Sequence, residues 1–580
     1  MRKLFYNIIG IAGLACGVAA CSDFLEIKPQ HEIILEDFWN EKADVDNVVA
    51  GCYSGLQSED VMRRMMVWGE FRSENVMPGI NVNSDLNLEN VLKENITAIN
   101  AYTTWDGFYS VINRCNTVIK YAPGVAAEDP GYTPSELRAT IAEVSALRDL
   151  CYFYLIRTFR DVPYSTEAYT DDDQVMNLPA TPFYTVLDSL INDLERVKGD
   201  AVVYYPETKP LYQTARITRD AIYAMLCEMY LWKQDYQNCI KYADLVIESK
   251  KEQEKSNRSA RFGNQQDALE RLNGYPLELN AYSTSSNMYG SAYEAIFVDG
   301  NSKETIFELS FDDNPQSSGM LSNQAVCAFY GHASVTKGLV APSTALISDA
   351  GKTSGRTIFD DRNKALDARI YEAYDLLSEG CFKYVYRGVY ITPQGTDKVS
   401  LSYSSRYVDK DNGSKWIVYR LPDIMLLKAE ALCQQMHEGN TADDIAFNTP
   451  LREQIFSLVN AVNKRSVCQS VLADTLRAND YSTKNLLQNL VMRERQREFL
   501  FEGKRWYDLV RRSMRDGNTE ALLQAVSSRD VSNSEYVKNF FKKMDAIFWP
   551  YNNEETKVNL NLVQNPAFDS GENSSYEKTK

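Results

Sequence analysis

The sequence predicts a mainly α-helical protein that carries long loops and a few minor β hairpins. Three observations predict it. Long stretches repeat their apolar residues at steps of three and four, residues 218–249 read as a helix–turn–helix pair, and extended polar segments separate the helical stretches.

Taken along the chain, the first element is an address. Arg2 and Lys3 precede a mostly apolar run, Leu4 to Ala20, that is shorter than the roughly 20 residues needed to cross a bilayer. It ends Val18-Ala19-Ala20-Cys21, so residues 1–20 read as a lipoprotein signal peptide with Cys21 as the lipid-modified first residue. Cys16 is a poorer match, because it lies inside the apolar run. A multiply acylated Cys21 would anchor stably, each buried methylene contributing about 0.8 kcal/mol.

Residues 21–580 then form one domain, with a helical scaffold to about 250, a loop-rich part over 251–416 and a helical part over 417–580. Residues 104–120 read as a helix. In 139–160, Val144, Leu147, Cys151, Tyr154 and Thr158 make a stripe widened by Ile141, Leu150, Leu155 and Phe159, as on a helix packed on two sides, and Pro163 stops it. In the pair at 218–249, Thr218 can cap, Ile222, Met225, Leu226 and Met229 make one face, and Cys239, Ala243, Val246 and Ile247 make the other. Tyr230, Tyr236 and Ala243 fall where a tetratricopeptide-like hairpin puts its packing residues, without a strict 34-residue period. Further helices are predicted over 422–436, 451–464 and 485–514. The long segments 72–90, 170–183 and 250–292 are polar, and 383–416 alternates around Pro393-Gln394-Gly395 and Asp411-Asn412-Gly413, as strands and hairpins do.

Composition excludes several classes. The net charge is -17, and -19 once Arg2 and Lys3 leave with the leader, which repels nucleic acid. Only His31, His332 and His437 exist, and no CxxC pair occurs, so no metal or disulfide framework is predicted. No cofactor is predicted, and a structural Ca²⁺ is left open. Trp105, Trp232 and Trp506 lie on apolar helical faces and read as core.

Catalytic motifs are weak. Gly351-Lys352-Thr353 lacks the earlier glycine of a phosphate loop, where Leu346 stands. Ser334 and Lys337 fit SxxK, a short pattern expected by chance. Glu498 and Glu502 would lie about 5–6 Å apart on a helix, similar to a retaining glycosidase pair. Arg495, Arg497 and Arg505 crowd them, and such pairing lowers a carboxyl when a general acid needs it raised. Structural ion pairs are the expected role, and no catalytic residue is assigned.

Several stretches together resemble the SusD/RagB family of Bacteroidetes outer-membrane lipoproteins. They are Cys21-Ser-Asp-Phe-Leu-Glu26, Trp105 with Tyr109 to Asn116, Glu143 to Tyr154 followed by Asp161-Val-Pro-Tyr164, and Arg420 to Leu432. Glu494-Arg-Gln-Arg-Glu-Phe-Leu-Phe-Glu-Gly-Lys-Arg-Trp-Tyr-Asp-Leu-Val-Arg511, Phe548-Trp-Pro550 and Leu562 to Pro566 complete the set. Phe568, with no glycine after Pro566, departs from the pattern at the tail. The resemblance implies a SusD-like helical fold with four tetratricopeptide-like hairpins. It also implies a surface-exposed, lipid-anchored binder in the cell outer membrane, partnered with a SusC-like TonB-dependent transporter. It implies capture of oligosaccharides, or in some branches of peptides, without cleavage.

The quoted motifs are mostly scaffold, so the ligand site is sought by chemistry. Sugar rings need aromatic platforms beside Asn, Asp or Arg. The 36 tyrosines are dense at Tyr275, Tyr282, Tyr289 and Tyr293, interleaved with Asn280 and Asn287. Trp68 and Arg72 precede the asparagine-rich loop with Asn81 and Asn83, and Tyr330 and His332 follow a Ser/Gly/Asn-rich turn. The candidate ligand contacts are Trp68, Arg72, Asn81, Asn83, Tyr282, Asn287, Tyr289, Tyr293 and Tyr330. Burial under its own loop is the competing role for Trp68.

Overall fold

The computed structural model describes residues 38–171, 173–258, 272–279, 289–343, 346, 358, 367–375, 378–394, 398–466, 476–529 and 534–568. Cys21, Tyr282 and Asn287 lie outside the described residues.

The longer helices run in chain order as α1 (Lys42–Leu56), α2 (Glu59–Met66), α3 (Leu86–Leu92), α4 (Asp106–Glu128), α5 (Pro134–Phe159), α6 (Phe183–Val197), α7 (Arg219–Trp232) and α8 (Tyr236–Arg258). They continue as α9 (Gln324–Tyr330), α10 (Leu421–Gln435), α11 (Ala442–Ser466), α12 (Lys484–Glu498) and α13 (Arg505–Asp516). The long helices pack largely on their neighbours in sequence, α4 on α5, α5 on α6, α7 on α8 and α10 on α11, with α8 and α12 both laid against α10. The protein is therefore mainly helical, with helix hairpins stacked side by side.

Local chemistry explains these boundaries. α5 starts in a capping box, Thr133 and Glu136 exchanging bonds with each other's backbone, with Pro134 at the first helical position. Its residues 142–159 are all buried, so it is the central helix with neighbours on every side. Thr218 caps α7 by accepting from the Ala221 amide, and the α7–α8 turn passes through Gln234 at φ 64°. The stretch expected as one helix over 485–514 is two. Phe501 and Gly503 adopt φ 67° and 70°, which ends α12 and restarts the chain as α13.

Ten short strands pair into five two-stranded antiparallel sheets among the described residues, one of them β2 (Val162–Pro163) with β3 (Ala180–Thr181). Three concern the site: β1 (Val76–Pro78) with β5 (Val340–Pro342), β4 (Thr305–Leu309) with β10 (Trp416–Arg420), and β6 (Tyr374–Asp375) with β7 (Gly380–Cys381). The alternation over 383–416 is realised as the hairpin β8 (Val389–Gln394) with β9 (Lys398–Tyr403).

One large apolar core runs through α1 to α8 and on to the C-terminal segment, and a second joins α8, α10, α11 and α12. Trp105, Trp232 and Trp506 are buried in the first. Eight cysteines are described, all buried and unbridged, filling space as small hydrophobes. Among the described residues no helix is long and apolar enough to cross a membrane, and no group of three His, Cys, Asp or Glu is placed to hold a metal ion.

Candidate functional site

The segment Glu494–Arg505, where α12 ends and α13 begins, is a buried hub of charge. Arg420, at the end of β10, donates to Glu498 (2.5 Å), Glu502 (2.8 Å) and Glu304 (3.1 Å). Arg465 on α11 reaches Glu498 and Glu304. Burial alone would raise the Glu498 carboxyl, but Arg465, Arg420 and Arg369 override it and hold it well below the usual carboxylate range. Glu498 is thus held ionised in a set of ion pairs, but by Arg369, Arg420 and Arg465 rather than by the arginines of its own stretch: Arg495 pairs with Asp423 and Asp508, Arg497 with Glu494 and Arg505 with Glu74.

This hub grips two loops. On one side Gln496 donates to Glu74 (3.0 Å) and Asn75 (2.8 Å), and Arg505 donates to Glu74 (2.5 Å). Asn75 in turn donates to Glu70 (2.6 Å), which also accepts the backbone N–H groups of Phe501 and Lys504. Glu70 belongs to Val67–Phe71, a π-helical turn that extends α2. Gly69 there meets Gly503 so closely that an added Cβ would stand 1.9 Å from the Gly503 oxygen. On the other side Arg369 donates to Glu494 (2.8 Å) and Glu498 (3.0 Å), and Lys383 donates to Glu502 (2.9 Å). These two cations bracket the β6–β7 hairpin, so both its ends are tied to the hub.

Between the two gripped loops lies an open cleft of about 330 Å³. Its floor is the β1–β5 sheet, with Met77 opposite Ala341 and Pro78 opposite Val340. Gly79 extends the pairing by donating to the Leu339 oxygen (2.8 Å), and it crosses so near Gly338 that a side chain would clash. The walls are Ile80 and Lys337 on one side and Tyr374 and Glu379 on the other. Ile80 is 75% exposed, an apolar side chain held in water at the mouth. Lys337 and Glu379 face each other at 4.0 Å. Burial, then Glu379 and Asp375, raise the Tyr374 hydroxyl, so it remains a neutral donor. An apolar floor, one tyrosine and a rim of amine, carboxylate and amide suit a ring with C–H faces and hydroxyl edges.

Seven of the nine predicted contacts are among the described residues, and they separate by burial. Asn81 and Asn83 are exposed, and the Asn81 amide, next in chain to Ile80, donates to the Lys337 oxygen (2.8 Å), joining the two loops of the cleft. Trp68 is instead fully buried, stacked on Phe108 at 5.0 Å with its indole N–H on the Tyr102 oxygen, because it lies on the inner face of the π-helical turn. Arg72 is also fully buried. It pairs with Glu94 (3.0 Å), caps the Ala546 carbonyl (2.9 Å) and lies 4.5 Å from the Trp506 ring, so it is a clamp and not a ligand contact.

Tyr289, Tyr293 and Tyr330 are buried too and offer no platform to solvent. Tyr289 pairs with Ile391 through the backbone; Tyr293 donates its hydroxyl to the Tyr386 oxygen (3.0 Å); Tyr330 packs on Phe71 and Phe501. Sequence reasoning missed Ile80, Lys337, Tyr374 and Glu379. Lys337 had a local signal in its Ser/Gly turn, whereas Tyr374 and Glu379 come from a hairpin placed by the distant hub. Ser334 and Lys337 lie in irregular chain, so the SxxK spacing is not carried on a helix.

Comparison with known proteins places this fold. The SusD family model matches residues 303–568, and the model described as starch-binding associating with outer membrane matches residues 23–231. SusD-like protein P38 of Formosa agariphila is 25% identical over 85% of this chain and 88% of its own. SusD-like protein P25 of the same organism is 22% identical over 97% and 99%. Among solved structures, a SusD superfamily protein of Bacteroides thetaiotaomicron matches with a TM-score of 0.60 and 20% identity, over 92% of this chain and 99% of its own. A laminarin-binding SusD-like protein also matches at 0.60, with 18% identity over 91% and 100%. Two family models that follow one another along the chain, relatives spanning nearly its full length and the shared helical fold agree: this chain belongs to the SusD/RagB family.

Proposed function

We propose that the chain is a cell-surface lipoprotein, held in the outer membrane through Cys21, that captures oligosaccharides in the β1–β5 cleft. It passes them uncleaved to a SusC-like TonB-dependent transporter. The observation that carries this reading is the cleft itself: an apolar floor and Tyr374 to meet sugar C–H faces, with Lys337 and Glu379 at the rim to meet hydroxyls and Asn81 alongside, bonded to the Lys337 oxygen. The laminarin-binding relative and the starch-binding description of the N-terminal family model support the ligand class. The buried ion pairing of Glu498 supports binding without bond cleavage.

The test is a glycan array run beside a peptide library on purified 22–580, followed by calorimetry on the best glycan and chromatography of the mixture. Saturable glycan binding with no new product supports the proposal. Capture of peptides alone, or release of shorter sugars, overturns it.

A further inference from the structure

A second cavity, of about 300 Å³, opens beside α11 and shares no lining residue with the cleft. Phe456 of α11 and Tyr481, just before α12, face into it with ring centroids 6.5 Å apart at 34°. At its base Asn460 is only 7% exposed, and its side-chain carbonyl oxygen has no hydrogen-bond partner among the described residues. A buried acceptor left without a donor is costly, so the geometry asks for a donor from whatever enters. Arg452, Glu453 and Thr449 stand at the rim and can both give and take hydrogen bonds. The volume is at the small end of ligand pockets, which run about 300–1,000 Å³.

We propose that this cavity is a second ligand site, taking a single small pyranose whose hydroxyl donates to Asn460 Oδ1 while its C–H face rests against Phe456 and Tyr481. The ligand class rests on the glycan reading given above; the site itself rests on the cavity and its orphaned acceptor. Its placement on α11 puts it on the helical scaffold, so it would hold one sugar independently of the chain lying in the cleft.

The experiment uses purified 22–580 and the methyl glycosides of glucose, galactose, mannose and xylose, titrated by ligand-observed NMR. The proteins are the wild type, Asn460→Leu, Tyr481→Ala and the cleft double variant Asn81→Ala with Tyr374→Ala. At least one glycoside is expected to saturate the wild type. Asn460→Leu is expected to weaken it about tenfold and Tyr481→Ala several-fold, with the cleft variant unchanged. Asn460→Leu removes an unpaired polar atom at similar size, so its melting temperature should not fall, which separates lost binding from lost fold. Glycoside binding that survives both Asn460→Leu and Tyr481→Ala overturns the proposal, an ordered water then being all that Asn460 holds. Polymer binding without any monosaccharide binding overturns it as well, while leaving the cleft reading intact. Failure of every glycan and glycoside removes both.

Discussion

Glu498→Gln keeps the shape of the side chain and deletes one negative charge among three buried guanidinium groups, those of Arg369, Arg420 and Arg465. Each arginine keeps another anion: Arg369 keeps Glu494 and Asp367, Arg420 keeps Glu502 and Glu304, and Arg465 keeps Glu304. The chain should therefore fold, with a loss of about 3–5 kcal/mol, the range for breaking a buried pair by removing one member. Over 580 residues, an unfolding entropy of about 2.1 cal/mol/K per residue amounts to roughly 1.2 kcal/mol/K, so Tm should drop by ~3–4 °C if unfolding is one cooperative step. The pH dependence has a definite sign. Because the Glu498 carboxyl is held below its ordinary value of 4.5, its stabilisation is present above that value and lost as pH falls through the lower, folded one. The acid limb of a wild-type stability profile should be steeper than that of Glu498→Gln. Calorimetry at neutral pH and urea melts from pH 3 to 7 read both effects. An unchanged Tm, or acid limbs that superimpose, would refute the hub as described.

Further outcomes follow from the same geometry. Burial, partly offset by Asn75 and by the Phe501, Arg505 and Lys504 amides, lifts the Glu70 carboxyl to about 7. Its contribution to stability is complete below about 4.5 and lost as pH rises toward 7, so Glu70→Gln should gain on the wild type between pH 5 and pH 8 in urea melts. Gly69→Ala drives a Cβ into the Gly503 oxygen and should cost at least 1–3 kcal/mol, seen as a lower Tm or insoluble protein. Lys383→Met leaves Glu502 still held by Arg420 and should cost about 1.5–3 kcal/mol, with weaker glycan binding because the β6–β7 hairpin loses one tether. Tyr374→Ala should weaken glycan binding about five- to tenfold by calorimetry, with unchanged far-ultraviolet circular dichroism.

The helices were legible because their signal is local: the stripe from Val144 to Thr158 and the cap at Thr218 each lie within a few turns of chain. The break at Phe501 and Gly503 was not, because it answers to Gly69 and Trp416, which come from elsewhere in the chain. The tyrosines misled for a related reason. A tyrosine in a polar segment reads as a platform, yet Tyr289, Tyr293 and Tyr330 all turn their rings into the core, and Tyr293 satisfies its hydroxyl on the Tyr386 backbone oxygen. The exposure of Asn81 was legible because loop asparagines lie in solvent by default. Tyr374 was missed because its position depends on Arg369 and Lys383 reaching glutamates more than a hundred residues away.

Hydrogen–deuterium exchange of purified 22–580, with and without the best glycan from the array, tests the central claim most directly. The account predicts added protection over 76–81, over 337–343 and around Tyr374, Glu379 and Gly380, which supply the lining of the cleft, with the sugar recovered intact. Protection confined to other segments, or a shortened sugar, would contradict it.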